Sequence, residues 1–238
     1  MDDKGWERYG AVGGIVFVVL LLLSTFMVSQ PPHVDASTLK IAKYFLDHPN
    51  RILASQMIGT FAVLGFVWFV AHLRTTLKAA ERVSDGLSSL VFGSGIALAA
   101  LGALASVPNA VLAYAAKQKS EIITNAGSGI VRGLFDVNLM LGNVLTILLG
   151  LFVAAAAYAM VRREVAVPWL GFAGMVVALI AFVAGATGFF VTKNNGGVTA
   201  LGLIAFLGFL AFVAVTCIWM LMPAHRAPAY RAVPAPVT

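Results

Sequence analysis

Charge is scarce in this chain. Only 11% of its 238 residues are Asp, Glu, Lys or Arg, against 60% hydrophobic residues, and that balance excludes an ordinary water-soluble globule. Cysteine is nearly missing too. The single Cys217 excludes an internal disulfide and a thiolate metal cluster built from one chain. Long polar stretches are also lacking: the longest piece between apolar runs is the 23 residues 29–51, too short to bury a core of its own. Within the apolar runs the mid-depth polar residues are Thr60, Ser94, Asn143, Thr146, Thr187 and Thr216, with no ionisable side chain among them. A charge at that depth costs about 2.5–3.5 kcal/mol and usually marks a working group. Its lack disfavours a proton pump or an ion-coupled carrier.

What is present is apolar sequence in six runs, about 11–28, 52–73, 87–116, 134–161, 167–191 and 199–222. Each is near or above the roughly 20 residues that a helix needs to cross about 30 Å of hydrocarbon. Runs such as Ile15 to Leu23 are apolar on every face, whereas a transmembrane barrel alternates apolar and polar residues. The expected fold is all-α: a polytopic six-helix transmembrane bundle in one domain, residues 1–222, followed by a disordered, proline-containing cytoplasmic tail, 223–238. The first run is read as an uncleaved anchor, because its leading segment carries Asp2, Asp3 and Glu7 and no Ala-x-Ala site follows Val28.

The net charge of +6 comes from sixteen Lys and Arg, dispersed over the polar pieces rather than gathered on one face, so no nucleic-acid partner is expected. Nine of them sit in 44 residues of the N-terminus, the second and fourth connections and the tail, and seven in 47 residues of the other connections. This asymmetry predicts that both termini are cytoplasmic. Trp6, Trp68, Trp169 and Trp219 fall at span ends on the same predicted side, and Tyr9 and Tyr158 join that belt, with Tyr44 and Tyr114 on the other.

The first extracytoplasmic connection should hold a short interfacial helix, capped by Ser37, with Leu39, Ile41, Ala42, Tyr44, Phe45 and Leu46 on its apolar arc and Pro49 ending it. Lys43 and Asp47 lie one turn apart on the wet side. The third connection contains Gly127 and Gly129 but lacks the phosphate-loop pattern, and reads as a flexible turn. Residues 59–70 align without gaps on 202–213 with seven identities in twelve, compatible with a duplicated helix pair or with convergence among apolar segments.

The sharpest polar cluster is at the extracytoplasmic ends of spans two to four: Gln56, Asn109, Asp136, Asn138 and Asn143. Asp136 and Asn143 are seven residues apart and share a helix face with Met140 between them. Two readings follow: a polar vestibule that binds a lipid headgroup or small solute near Lys117, Lys119 and Arg132, or the wet ends of helices too long for the bilayer. His33 and His48 share a connection with Asp35 and Asp47 but lack zinc-ligand spacing, and His72 and His225 stand at the inner edge, where a haem pair is a remote alternative. No catalytic set, cofactor site or metal site is expected. Gly95, Ala99 and Ala103 on span three and Gly142, Thr146, Gly150 and Ala154 on span four repeat every fourth position, which predicts close packing of those two spans, or a homo-oligomer contact.

In Gly13-Gly14-Ile15, Asp47-His48-Pro49-Asn50-Arg51 and Pro168-Trp169-Leu170-Gly171 the chain resembles a large, uncharacterised group of six-span membrane proteins, many from high-GC bacteria. That resemblance implies an architecture and a bacterial cytoplasmic membrane, and no activity. The expected role is a non-enzymatic membrane protein, an accessory subunit or lipid-associated scaffold whose partners are membrane lipid and a further membrane protein or a second copy. The alternative is a transporter or channel for a small neutral or amphipathic solute entered from the extracytoplasmic side.

Overall fold

The computed structural model describes residues 3–28, 31–79, 86–124, 129–163 and 168–222. The glycine-rich segment 125–128, the tail 223–238 with His225, and the side chains of Trp6 and Tyr9 lie outside the described residues. The elements are α1 (Asp3–Met27), α2 (Thr38–Asp47), α3 (Pro49–Ala79), α4 (Leu87–Lys117), α5 (Glu121–Thr124), α6 (Gly129–Arg163), α7 (Pro168–Gly188) and α8 (Gly196–Leu221). Six of these are long and apolar enough to cross a bilayer. The protein is an all-α, multi-pass integral membrane protein, with α2 as the short helix in the first connection.

Several helices outrun their apolar runs. α3 starts at Pro49 and ends at Ala79, and α6 spans 35 residues. Hydropathy stops at the first charged residue, but a helix continues wherever Arg and Lys stems can lie along it with their heads in water. The long helices form a closed ring in chain order, each packed on its predecessor and successor, with α8 returning to α1.

Glycine sets the closest approaches. A Cβ on Gly65 would stand 2.6 Å from the Gly13 carbonyl oxygen and 3.2 Å from the Phe17 nitrogen, so the backbones of α1 and α3 cross in direct contact. On α7, Gly171, Gly185 and Gly188 press on Val161, Ile147 and Asn143 of α6. The predicted α4–α6 stripe is distributed otherwise. α4 and α6 do adjoin, and Gly95 of α4 faces Phe152 of α6 as well as Val70 of α3, but Gly150 faces Ala178 and Phe182 of α7, and Gly142 meets nothing within 4 Å. Small residues at four-residue spacing mark a face without naming the helix that uses it.

The two aligned segments occupy equivalent places. Ala62, Phe66, Phe69 and Val70 are buried, as are their counterparts Ala205, Phe209, Phe212 and Val213. Gly65 packs on α1 and Gly208 on Val177 of α7, in each case the preceding span.

Four phenylalanines, Phe17, Phe66, Phe152 and Phe209, close the axis of the ring with centroid separations of 4.8–6.4 Å, and each is at most 5% exposed. Taking about 1.5 Å per residue, Trp219 and Arg74 lie roughly 12–15 Å to one side of this layer, and Ser24, Gln56 and Asn143 roughly 10–15 Å to the other. The rings therefore mark the middle of a hydrocarbon slab about 30 Å thick. One consequence corrects the aromatic belt: Trp68 is two residues from Phe66, roughly 3 Å from mid-plane. The continuation of α3 to Ala79 moves its true end past Trp68, whose indole is 46% exposed along the helix side.

Candidate functional site

α7 ends at Gly188, where an added Cβ would collide with the Asn143 side chain of α6. α6 begins fourteen residues earlier, at Gly129, and so projects about 21 Å past that level. The projecting turns of α4 and α6 are covered by α2 and α5. Ser37 caps α2, its hydroxyl accepting from the Lys40 N–H at 3.3 Å, and the helix turns Ile41, Ala42 and Phe45 inward. These pack with Leu112, Ile123 and Val131 in a second hydrophobic core, separate from the membrane core. The long helix ends are thus neither simply wet nor part of the span: they build a cap.

An arginine fastens it. Arg132 donates from Nε to Asp136 at 2.9 Å, from Nη1 to the Ala36 carbonyl at 3.0 Å and from Nη2 to the Val34 carbonyl at 2.8 Å, tying the first connection to α6. The Asn194 N–H donates to Asp35 at 3.2 Å, joining the α7–α8 turn to the same segment.

Against the second core, walled in part by its members Phe45, Ile52 and Phe135, lies a half-open cavity of about 310 Å³. One side is a serine pair: Ser24 Oγ donates to the Ser55 carbonyl at 2.9 Å, and Ser55 Oγ donates to the Ser24 carbonyl at 3.0 Å. Each hydroxyl thereby satisfies a buried polar group of the other helix. Opposite, the Asn109 amide donates to Asn138 Oδ1 at 3.1 Å, bridging α4 to α6. Gln56 and Tyr44 complete the polar lining, and Phe45, Ile52, Phe135 and Leu139 the apolar part. Burial raises the Tyr44 phenol above its ordinary value of 10.0, because a phenolate loses solvation there. At the mouth, Thr25 and Pro31 are exposed, and neighbouring Phe26 is 81% exposed.

Of the predicted cluster, the structure brings Gln56, Asn109 and Asn138 together in this lining. Asp136 and Asn143 are elsewhere: Asp136 holds Arg132, and Asn143 packs on α7. Rotation explains the division. The face of α6 toward the cavity carries Phe135, Asn138 and Leu139, and Asp136 is turned about 100° from Phe135. Met140, on the Asp136 stripe, is 38% exposed. Lys117, the last residue of α4, and Lys119, just past it, are exposed, with Lys119 at φ 51° in the connection, and Arg132 is occupied by the contacts above. Ser24, Ser55 and Tyr44 were not foreseen as site residues. A serine near a span end carries no signal of its own, and only the α1–α3 pairing makes these two neighbours.

His33 is exposed and His48 half-buried where α2 breaks into α3, and His72 packs on Gly10 of α1. No group of three metal-ligating side chains occurs among the described residues. No family model, curated protein or solved structure matches the chain.

Proposed function

We propose that this protein is a non-enzymatic, lipid-associated scaffold or accessory subunit of a bacterial cytoplasmic membrane, with both termini in the cytoplasm and the cap facing outward. The observation that carries this reading is the amphipathic cavity at the boundary between membrane core and cap. Its polar groups are hydroxyls and amides, its mouth is at the depth where headgroups meet acyl chains, and its size is at the lower end of ordinary ligand pockets. The charge asymmetry of the connections supports the orientation, and the resemblance noted above supports a bacterial membrane.

A transporter for a small amphipathic solute entering at the same mouth is the second reading. The cavity favours it as an entrance. Against it, Phe17, Phe66, Phe152 and Phe209 fill the axis below, and a path through would require these rings to move apart.

Native mass spectrometry of the full chain in mild detergent tests the proposal. A retained lipid mass or protein partner is expected. A bare chain, together with uptake of a neutral solute into loaded vesicles that stops in Asn109→Leu, would favour the transporter instead.

A further inference from the structure

We infer that the cavity selects the head of an uncharged, hydroxyl-bearing lipid, such as an acylglycerol, and discriminates against lipids carrying phosphate. This rests on the lipid-associated reading above and deepens it. The first argument is charge. Among the described residues no lining side chain is ionised at neutral pH, since the one titratable side chain there, Tyr44, has its phenol pushed toward the neutral form. The cations beside the lining are otherwise placed: the Arg132 guanidinium stands 6.0 Å from the centroid of the wall residue Phe135, with three of its N–H groups engaged by Asp136 and the backbone of Val34 and Ala36, and Lys43 and Arg51, next in the chain to Tyr44 and Ile52, are exposed and outside the lining. A phosphate entering this half-open cavity would lose part of its water to a described lining that offers no cation in return, and an anion that is desolvated without a partner is disfavoured.

The second argument is hydrogen-bond type. Joining two primary amides by one N–H···O bond uses one oxygen and one N–H, which leaves the Asn109–Asn138 pair an amide oxygen on one side and an NH₂ group on the other. This remainder is the same if both amides are turned over. It presents an acceptor beside a donor, the complement of a hydroxyl, which both gives and takes a hydrogen bond. Gln56 adds a further amide of the same dual character. Ser24 and Ser55, by contrast, keep their protons within the pair, on each other's carbonyls or between oxygens 3.1 Å apart, so the serine side offers a ligand acceptors alone, whereas the amide side offers both a donor and an acceptor.

The third argument is room. Since a water molecule occupies about 30 Å³ of the liquid, the cavity of about 310 Å³ holds a small polyol head with its first methylenes. The remainder of an acyl chain would leave past Thr25, next to Phe26.

The test uses the full chain in phosphatidylcholine nanodiscs doped with dioleoylglycerol or dioleoylphosphatidic acid, which share their acyl chains and differ by the phosphate. Retained lipid is read by native mass spectrometry. The expected result is a preference for dioleoylglycerol of about tenfold, lost in Asn138→Leu and in Thr25→Trp, which alter the head site and the mouth independently. Equal or stronger retention of dioleoylphosphatidic acid overturns the inference and leaves the lipid-associated reading standing. Retention unchanged in both variants also overturns it, because the lipid is then held elsewhere. Retention of neither lipid, nor of any other lipid or partner, by a chain whose helix content is intact overturns both.

Discussion

Gly65 is where a single methyl group matters most visibly, because its added Cβ would meet backbone, the Gly13 carbonyl and the Phe17 nitrogen, rather than a side chain that could turn away. Gly65→Val should therefore lower the thermal midpoint in detergent by an amount corresponding to about 1–3 kcal/mol of overpacking. Gly142→Ala, placed in open space, should change stability by less than about 0.5 kcal/mol. Equal effects of the two would show that the α1–α3 crossing is not made by backbone contact. Tyr44 offers a second residue-scale check. Its folded phenol is raised above 10.0 by burial, so the protonated form is favoured by folding. That contribution is complete below the unfolded value and is lost as pH climbs through the folded one. Ultraviolet titration of wild type minus Tyr44→Phe should show a phenolate transition whose midpoint lies above 10.0. Titration at or below the ordinary value would mean that the ring is not buried in the cap.

At the scale of elements, α2 is held by two means: an apolar face sunk into the second core, and a preceding segment clamped by Arg132. Arg132→Met removes the clamp and leaves the face. Deuterium uptake across residues 31–47 should accelerate while the peptides of α7 and α8 keep their protection, with a loss on the order of 1–3 kcal/mol for hydrogen bonds to a half-exposed charged group. Asp136→Asn should have a smaller effect, because the two Nη contacts do not involve it. The sequence foretold α2 by its apolar arc and by Ser37, both local signals. It could not foretell the clamp, because Arg132 lies 96 residues from Ala36 and nothing in either segment announces the other. The same limit explains why Gln56, Asn109 and Asn138 were legible as polar residues at span ends, whereas Asp136 and Asn143 were grouped with them. Helical periodicity shows which residues share a stripe, and only the neighbours decide which stripe faces the cavity.

For the whole molecule, the number and order of the spans were legible because hydrocarbon tolerates little besides continuous apolar helix. The arrangement was not, because every face of such a helix is apolar and the choice of neighbour is made by fit. Hence the small-residue stripes of spans three and four were assigned to each other, while the closest backbone contacts belong to α1–α3 and α6–α7. The central phenylalanines likewise stood in the sequence as four rings among sixteen, and only closure of the ring brings them together. Two independent features, the rings at mid-depth and the cavity near one boundary, then stand at different heights: close-packed rings that hold the bundle shut below, and above them the polar-lined cavity proposed as the lipid site.

The inequality of the helices gives the protein a built-in gauge. α7, with 21 residues, is about 31 Å long and α6, with 35, about 52 Å, so the short helix fixes where the lipid surface meets the bundle while the tall one carries a wall of the cavity, with Phe135, Asn138 and Leu139, past that level. Lengthening the acyl chains of the host bilayer should raise the surface around the mouth and bring more lipid to it. Occupancy measured across phosphatidylcholines of increasing chain length should then rise before it levels off, and a flat response would show that the mouth opens to water alone.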